Sequence, residues 1–157
     1  MEMFCLLKEI SIEFSPRIYV TTDTMSESKA HSFEQSREVP TRYSVHKVPR
    51  ARAIGQSYFT SIFTSIMSFM YCIALAFEIC PDLIICNGPG TCIPVVIACR
   101  CVNIMLFRRT RVIFVESFAR VKHLSLTGKL MQYLADRLIV QWPLLANKNI
   151  EYAGRLV

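Results

Sequence analysis

The sequence predicts an α/β fold, a parallel β-sheet with helices on both faces. Three observations lead there. Short runs rich in β-branched and aliphatic residues recur along the chain: RIYVTT at Arg17–Thr22, DLIICN at Asp82–Asn87, RVIFVE at Arg111–Glu116 and RLIVQ at Arg137–Gln141. Stretches of helical length separate the last three, and strands that alternate with helices pair in parallel. Finally, Gly88-Pro89-Gly90-Thr91 is a turn between a strand and a helix start. In such sheets ligands bind beyond the carboxyl ends of the strands.

The elements follow in order. Phe4, Leu6, Leu7, Ile10 and Phe14 have helical spacing, and Pro16 ends that helix. Glu2, Lys8 and Glu9 interrupt this start, so it is no signal peptide, and no lipidation motif is present. After the strand RIYVTT, the polar stretch Asp23–Glu38 reads as a loop. YSVHKV (Tyr43–Val48) alternates as a second strand, and Pro49 ends it. Gln56–Phe77 carries no charge over 22 residues, a helix ~33 Å long that a hydropathy window reads as spanning a membrane. Ser57, Ser61, Thr64, Ser65, Ser68 and Cys72 form a mild polar stripe along it, which suits a helix packed on a sheet with its other side near lipid. Cys92–Phe107 is a helix with Pro94 in its first turn, where a missing N–H does little harm. Leu126–Leu134 is another, with Gly128 inside it. Trp142-Pro143 ends the RLIVQ strand, Ile150–Tyr152 is a short further strand, and Gly154 turns the chain. Residues 1–157 read as one domain without internal repeats.

Apolar residues make up 52% of the 157 and charged residues 19%, which argues against disorder and leaves apolar surface for a membrane or a partner. Net charge is +6. Between Ala98 and Leu130 stand Arg100, Arg108, Arg109, Arg111, Arg120, Lys122 and Lys129 against the single acid Glu116, so this segment accounts for the whole excess. Such a field attracts nucleic acid, anionic lipid headgroups or a phosphorylated ligand; the alternative is a solubilising face on an otherwise apolar protein. No recognition motif for nucleic acid accompanies it. The seven cysteines (5, 72, 80, 86, 92, 99 and 101) contain no C-x-x-C pair, and neither they nor His31, His46 and His123 have the spacing of zinc ligands. The sequence implies reduced thiols, no metal and no cofactor.

Three places can carry chemistry. Gly88, Gly90 and Thr91 lie between a strand and a helix N-terminus, where exposed N–H groups favour an anion; the alternative is plain turn chemistry, with Thr91 as helix cap. Glu116 and Arg120 follow a central strand, where a carboxylate can act on a ligand; the alternatives are an ion pair between the two or a helix cap. Arg50 and Arg52 precede the uncharged helix, placed for phosphates or lipid headgroups; the alternative is ordinary solvated charge.

NGPGTCIPV, VIFVESFARV, LSLTGKL, DRLIVQWP, GRLV and VPRARAIGQS, in their places along the chain, resemble the eukaryotic asparagine-linked glycosylation protein fourteen family. More distantly, the layout resembles the amino-terminal domain of the bacterial lipid-linked N-acetylglucosaminyltransferase of peptidoglycan synthesis. The first resemblance covers nearly the whole chain. It implies a Rossmann-like domain, the amino-terminal (acceptor) half of a GT-B glycosyltransferase split over two polypeptides. The complex adds the second N-acetylglucosamine to dolichyl diphosphate-linked N-acetylglucosamine on the cytosolic face of the endoplasmic reticulum. A partner, asparagine-linked glycosylation protein thirteen, binds UDP-N-acetylglucosamine, so this chain is not an enzyme on its own. Gly88, Gly90, Thr91 and Arg120 are then expected to hold the acceptor diphosphate and Glu116 to orient the acceptor hydroxyl or act as base. Gly154, Arg155, Leu156 and Val157 are expected at the partner interface. Family members place a membrane anchor, a first strand and a glycine-rich loop ahead of the helix that begins here near Met3, so the sheet is expected to lack its first strand. The competing expectation is a stand-alone protein that spans a membrane once at Gln56–Phe77, without a transferase role.

Overall fold

The computed structural model describes Met3, Leu7 and residues 14–37, 42–49, 58–88 and 90–154. Strands β1 (Arg17–Thr21) and β2 (Tyr43–Lys47) flank helix α1 (Thr24–Gln35). Helix α2 (Tyr58–Ile79) leads to β3 (Leu83–Asn87), α3 (Cys92–Leu106) and β4 (Arg111–Val115). Helix α4 (Leu126–Leu134), β5 (Arg137–Val140), a 3-10 turn at Pro143–Leu145 and β6 (Glu151–Tyr152) complete the described chain. All strand pairings are parallel, as expected for strands joined through helices.

The strands form two sheets, β1-β2 and β3-β4-β5-β6. Among the described residues no strand pairing joins the two sheets. The parallel α/β fold that the sequence predicts is therefore present, as two sheets flanked by helices rather than one.

The expected loop at Asp23–Glu38 is corrected by helix α1. Its start is fixed by Asp23, whose side chain accepts a hydrogen bond from the Ser26 amide at 2.7 Å. Ala30 is fully buried, and Glu34 is buried against β1. There Arg17 Nη1 lies 3.3 Å from Glu34 Oε1, and the Tyr19 hydroxyl donates to the same oxygen. Burial, then the Glu34 carboxylate, hold the Tyr19 phenol above its ordinary range. Polar residues thus join this helix to its sheet, which is why apolar periodicity misses it. The helix expected between Phe4 and Phe14 lies outside the described residues apart from Met3 and Leu7, both helical, and Phe14, which lies beyond any helix.

Two clusters make the core. Cys86, Val112, Phe114, Leu138 and Val140 share one face of the larger sheet, covered by Val96 of α3 and Met131 of α4. Cys72, Leu75 and Ala76 of α2 interlock with Ala98, Cys99 and Val102 of α3, and Val48 closes this cluster from the end of β2. Ser68 of α2 donates to the Pro49 carbonyl at 2.8 Å. From Ser68 onward the long helix is therefore packed against α3 and the end of β2. No helix among the described residues is long and apolar enough to cross a membrane.

At the amino ends of the strands, Arg100 binds the Thr110 and Leu134 carbonyls and Asp136 Oδ2, which also accepts from the Val112 amide at 2.7 Å. Burial opposes ionisation of Asp136, but the Val112 amide and the Arg100 guanidinium outweigh it, so its pKa lies below the ordinary value.

Candidate functional site

The site forms at the carboxyl ends of β3, β4 and β5. Strand β3 ends at Asn87, and Gly88 takes φ +68°, a left-handed conformation that any side chain would strain. A Cβ on Gly88 would approach the Ser117 Cβ at 3.9 Å, and one on Gly90 would meet Thr127 Oγ1 at 3.7 Å. The glycine turn thus touches both the loop after β4 and the first turn of α4, and the amino ends of α3 and α4 meet at one place. Thr91 occupies the N-cap of α3 but makes no side-chain cap bond. Pro94 falls inside α3's first turn as expected.

Two thiols sit under this turn. The Cys92 thiol, and then burial, raise the Cys86 pKa, and the Cys86 thiol lowers that of Cys92. All described cysteines are free.

Glu116 follows β4 and is 1% exposed. Its Oε1 accepts from the Ser117 amide at 3.1 Å, and its Oε2 accepts from the Ser125 amide and hydroxyl, both at 3.0 Å. Ser125 is the N-cap of α4 and accepts from the Gly128 amide at 2.9 Å. Glu116 therefore joins the end of a central strand to a helix start, which is the capping alternative rather than an ion pair. Arg120 is exposed and makes no ion pair among the described residues. It lines an open hollow of about 300 Å³ with Ala119, Val121, Lys122 and His123.

The loop after β4 is clamped to β5. Gln141 Nε2 donates to the Glu116 carbonyl at 3.3 Å, and Trp142 Nε1 donates to the Phe118 carbonyl at 2.7 Å, with the two rings 5.1 Å apart. Sequence reasoning missed Ser125, Thr127, Gly128, Gln141 and Trp142. Only Trp142, a lone tryptophan at a strand end, carried a signal. The structure brings Gly88, Gly90, Thr91 and Glu116 to one end of the sheet, with Arg120 on the adjoining loop. Arg50 and Arg52, and Arg155, Leu156 and Val157, lie outside the described residues. Gly154 has φ +78° and open space where a side chain would be. Among the described residues no group of His, Cys, Asp and Glu can hold a metal ion.

No solved structure matches the chain. A protein of Mus musculus, UDP-N-acetylglucosamine transferase subunit ALG14, is 39% identical over 99% of this chain and 77% of its own length. The Homo sapiens protein of the same name is 39% identical with the same coverage. The Schizosaccharomyces pombe one is 41% identical over 98% of this chain and 76% of its own length. The family model described as oligosaccharide biosynthesis protein Alg14 like matches residues 1–156. On a match of that extent, the chain belongs to the Alg14-like family of oligosaccharide biosynthesis proteins.

Proposed function

We propose that this chain is the acceptor-side subunit of a UDP-N-acetylglucosamine transferase, without a complete active site of its own. The observation that carries the reading is the family match over residues 1–156, joined to relatives named as subunits of that transferase. The acceptor is a dolichyl diphosphate-linked N-acetylglucosamine at the cytosolic face of the endoplasmic reticulum. The donor-binding partner is asparagine-linked glycosylation protein thirteen, the other half of a GT-B enzyme. Residues 1–157 act as one acceptor-side domain.

The diphosphate is placed at the Gly88–Thr91 turn, where the amide groups of α3's first turn and the Thr91 hydroxyl suit an anion. Arg120, exposed on the loop after β4, is the cation proposed to neutralise it. Glu116 is an expected base whose two oxygens already accept three hydrogen bonds, which supports a positioning role. Arg50 and Arg52 contact headgroups, and Gly154–Val157 lies at the partner interface. The open space around Gly154 is compatible with a neighbour there.

The test is co-expression with the donor-binding partner, followed by transfer of N-acetylglucosamine from the UDP sugar to a dolichyl diphosphate-linked acceptor. Complex formation with transfer supports the reading. A stable complex that transfers nothing, where a relative's subunit does transfer, sinks it. Deleting residues 155–157 is expected to abolish the complex and leave membrane association intact.

A further inference from the structure

Two aromatic rings stand at the ligand end of the larger sheet. Phe118 follows β4 and Trp142 follows β5, both half-buried, with their planes tilted by 38° to one another. Neither ring is part of the two core clusters. Polar contacts fix them instead. Trp142 Nε1 donates to the Phe118 carbonyl. Ser117 Oγ accepts from the Ala119 amide at 3.4 Å, and the Ser117 carbonyl accepts from the Arg120 amide at 3.0 Å. Phe118 is thus carried on a tight turn that is bonded to the neighbouring strand end. Large rings held this way, at a strand end and outside the core, suit recognition more than stability.

The surroundings say what they recognise. The glycine turn is adjacent, since a Cβ on Gly88 would stand 3.9 Å from the Ser117 Cβ. On the other side, Phe118 directly precedes Ala119, which with Arg120, Val121, Lys122 and His123 lines the open hollow of about 300 Å³. That is the small end of ligand-pocket sizes. A pyranose ring has apolar C–H faces and a rim of hydroxyl groups. An aromatic face beside Arg120, Lys122 and His123, all exposed, offers a contact to each part. A prenyl chain would need a closed apolar groove, whereas this hollow is open and lined by cations.

We infer that Phe118 and Trp142 form a stacking platform for the N-acetylglucosamine ring of the acceptor, beside the turn that takes its diphosphate. The inference rests on the reading of the chain as the acceptor-side subunit, and it adds the groups that recognise the sugar. The platform is a specificity device: it favours the sugar-bearing lipid over the bare prenyl diphosphate.

The experiment uses the full chain in complex with its donor-binding partner. The acceptor is a short prenyl diphosphate that carries N-acetylglucosamine, and the same prenyl diphosphate without the sugar serves as inhibitor. Phe118→Leu keeps an apolar side chain and the carbonyl that Trp142 binds. Its acceptor KM should rise about three- to tenfold, the scale of an aromatic contact beyond its buried area. Its kcat, its donor KM and the inhibition constant of the sugar-free ligand should stay as in the parent, because the lost contact is to the bound sugar. Phe118→Tyr should restore the acceptor KM. Trp142→Leu should show the same split of constants, at a lower Tm for want of its hydrogen bond. An acceptor KM in Phe118→Leu equal to that of the parent overturns the platform and leaves the acceptor reading in place. Equal weakening of both ligands also overturns it, because the rings would then hold the prenyl chain or merely support the turn. A parent complex that neither uses the acceptor nor is inhibited by the sugar-free ligand overturns the acceptor reading itself, and the platform with it.

Discussion

Oε2 of Glu116 occupies the space where a side chain at residue 128 would begin: a Cβ on Gly128 would lie 2.1 Å from it. The oxygen cannot simply move aside, because Ser125 holds it through its amide and its hydroxyl. The glycine inside α4, a weak choice for a helix by propensity, is there to let a carboxylate approach the helix.

Gly128→Ala is therefore expected to destabilise the fold by about 2 kcal/mol, the scale of overpacking a filled interior. Denaturant unfolding measures it. Placed on a Glu116→Ala background, the same change should cost little, giving a coupling above about 0.5 kcal/mol. Strictly additive costs would show that the two residues do not compete for that space.

Glu116→Gln tests the positioning role directly. The amide replaces an ionised acceptor, and one of its ends presents N–H groups to donors. The expected loss is about 2 kcal/mol, the worth of hydrogen bonds to a charged group that is buried. Transfer by the complex, assayed well below the unfolding temperature, should fall no more than a few-fold. A variant as stable as the parent whose transfer falls a hundredfold would instead make Glu116 the base.

Much of this was legible in the sequence, and what was missed has one physical origin. The strands at 83–87, 111–115 and 137–140 and the helix at 126–134 follow from apolar runs and turn residues, because their stability comes from burying one apolar face. Helix α1 is held by Arg17, Tyr19 and Glu34, polar groups far apart in sequence whose meeting no periodicity announces. The same holds at the site. Gly88 and Gly90 are visible as a turn, but Ser125, Gly128 and Trp142 acquire meaning only when the fold brings them to Glu116 and Phe118.

At the opposite end of the sheet, Asp136 gives a pH dependence. Its folded pKa lies below its ordinary value, so its contribution is fully present above its unfolded pKa, near 4. That contribution is lost as the pH falls through the folded pKa. Asp136→Asn should therefore lower Tm at pH 7, and the gap to the parent should shrink as the pH drops below about 4. A gap of constant size at every pH would mean that ionisation of Asp136 contributes nothing.

Thr91 and Ser125 stand at the N-caps of neighbouring helices, and only one of them caps. Ser125 accepts from the Gly128 amide and donates to Glu116, so Ser125→Ala should cost about 1–2 kcal/mol of stability. Thr91 makes no cap bond, so Thr91→Val should change stability by less than about 0.5 kcal/mol. Its effect belongs to the ligand. One lost hydrogen bond to a charged diphosphate corresponds to about 1.5–3 kcal/mol, so the acceptor KM of the complex should rise tenfold or more in Thr91→Val. Thermal unfolding and acceptor titration on the two variants separate the roles. Should Thr91→Val lose stability and keep its KM, the hydroxyl serves the fold, and the diphosphate must be held elsewhere.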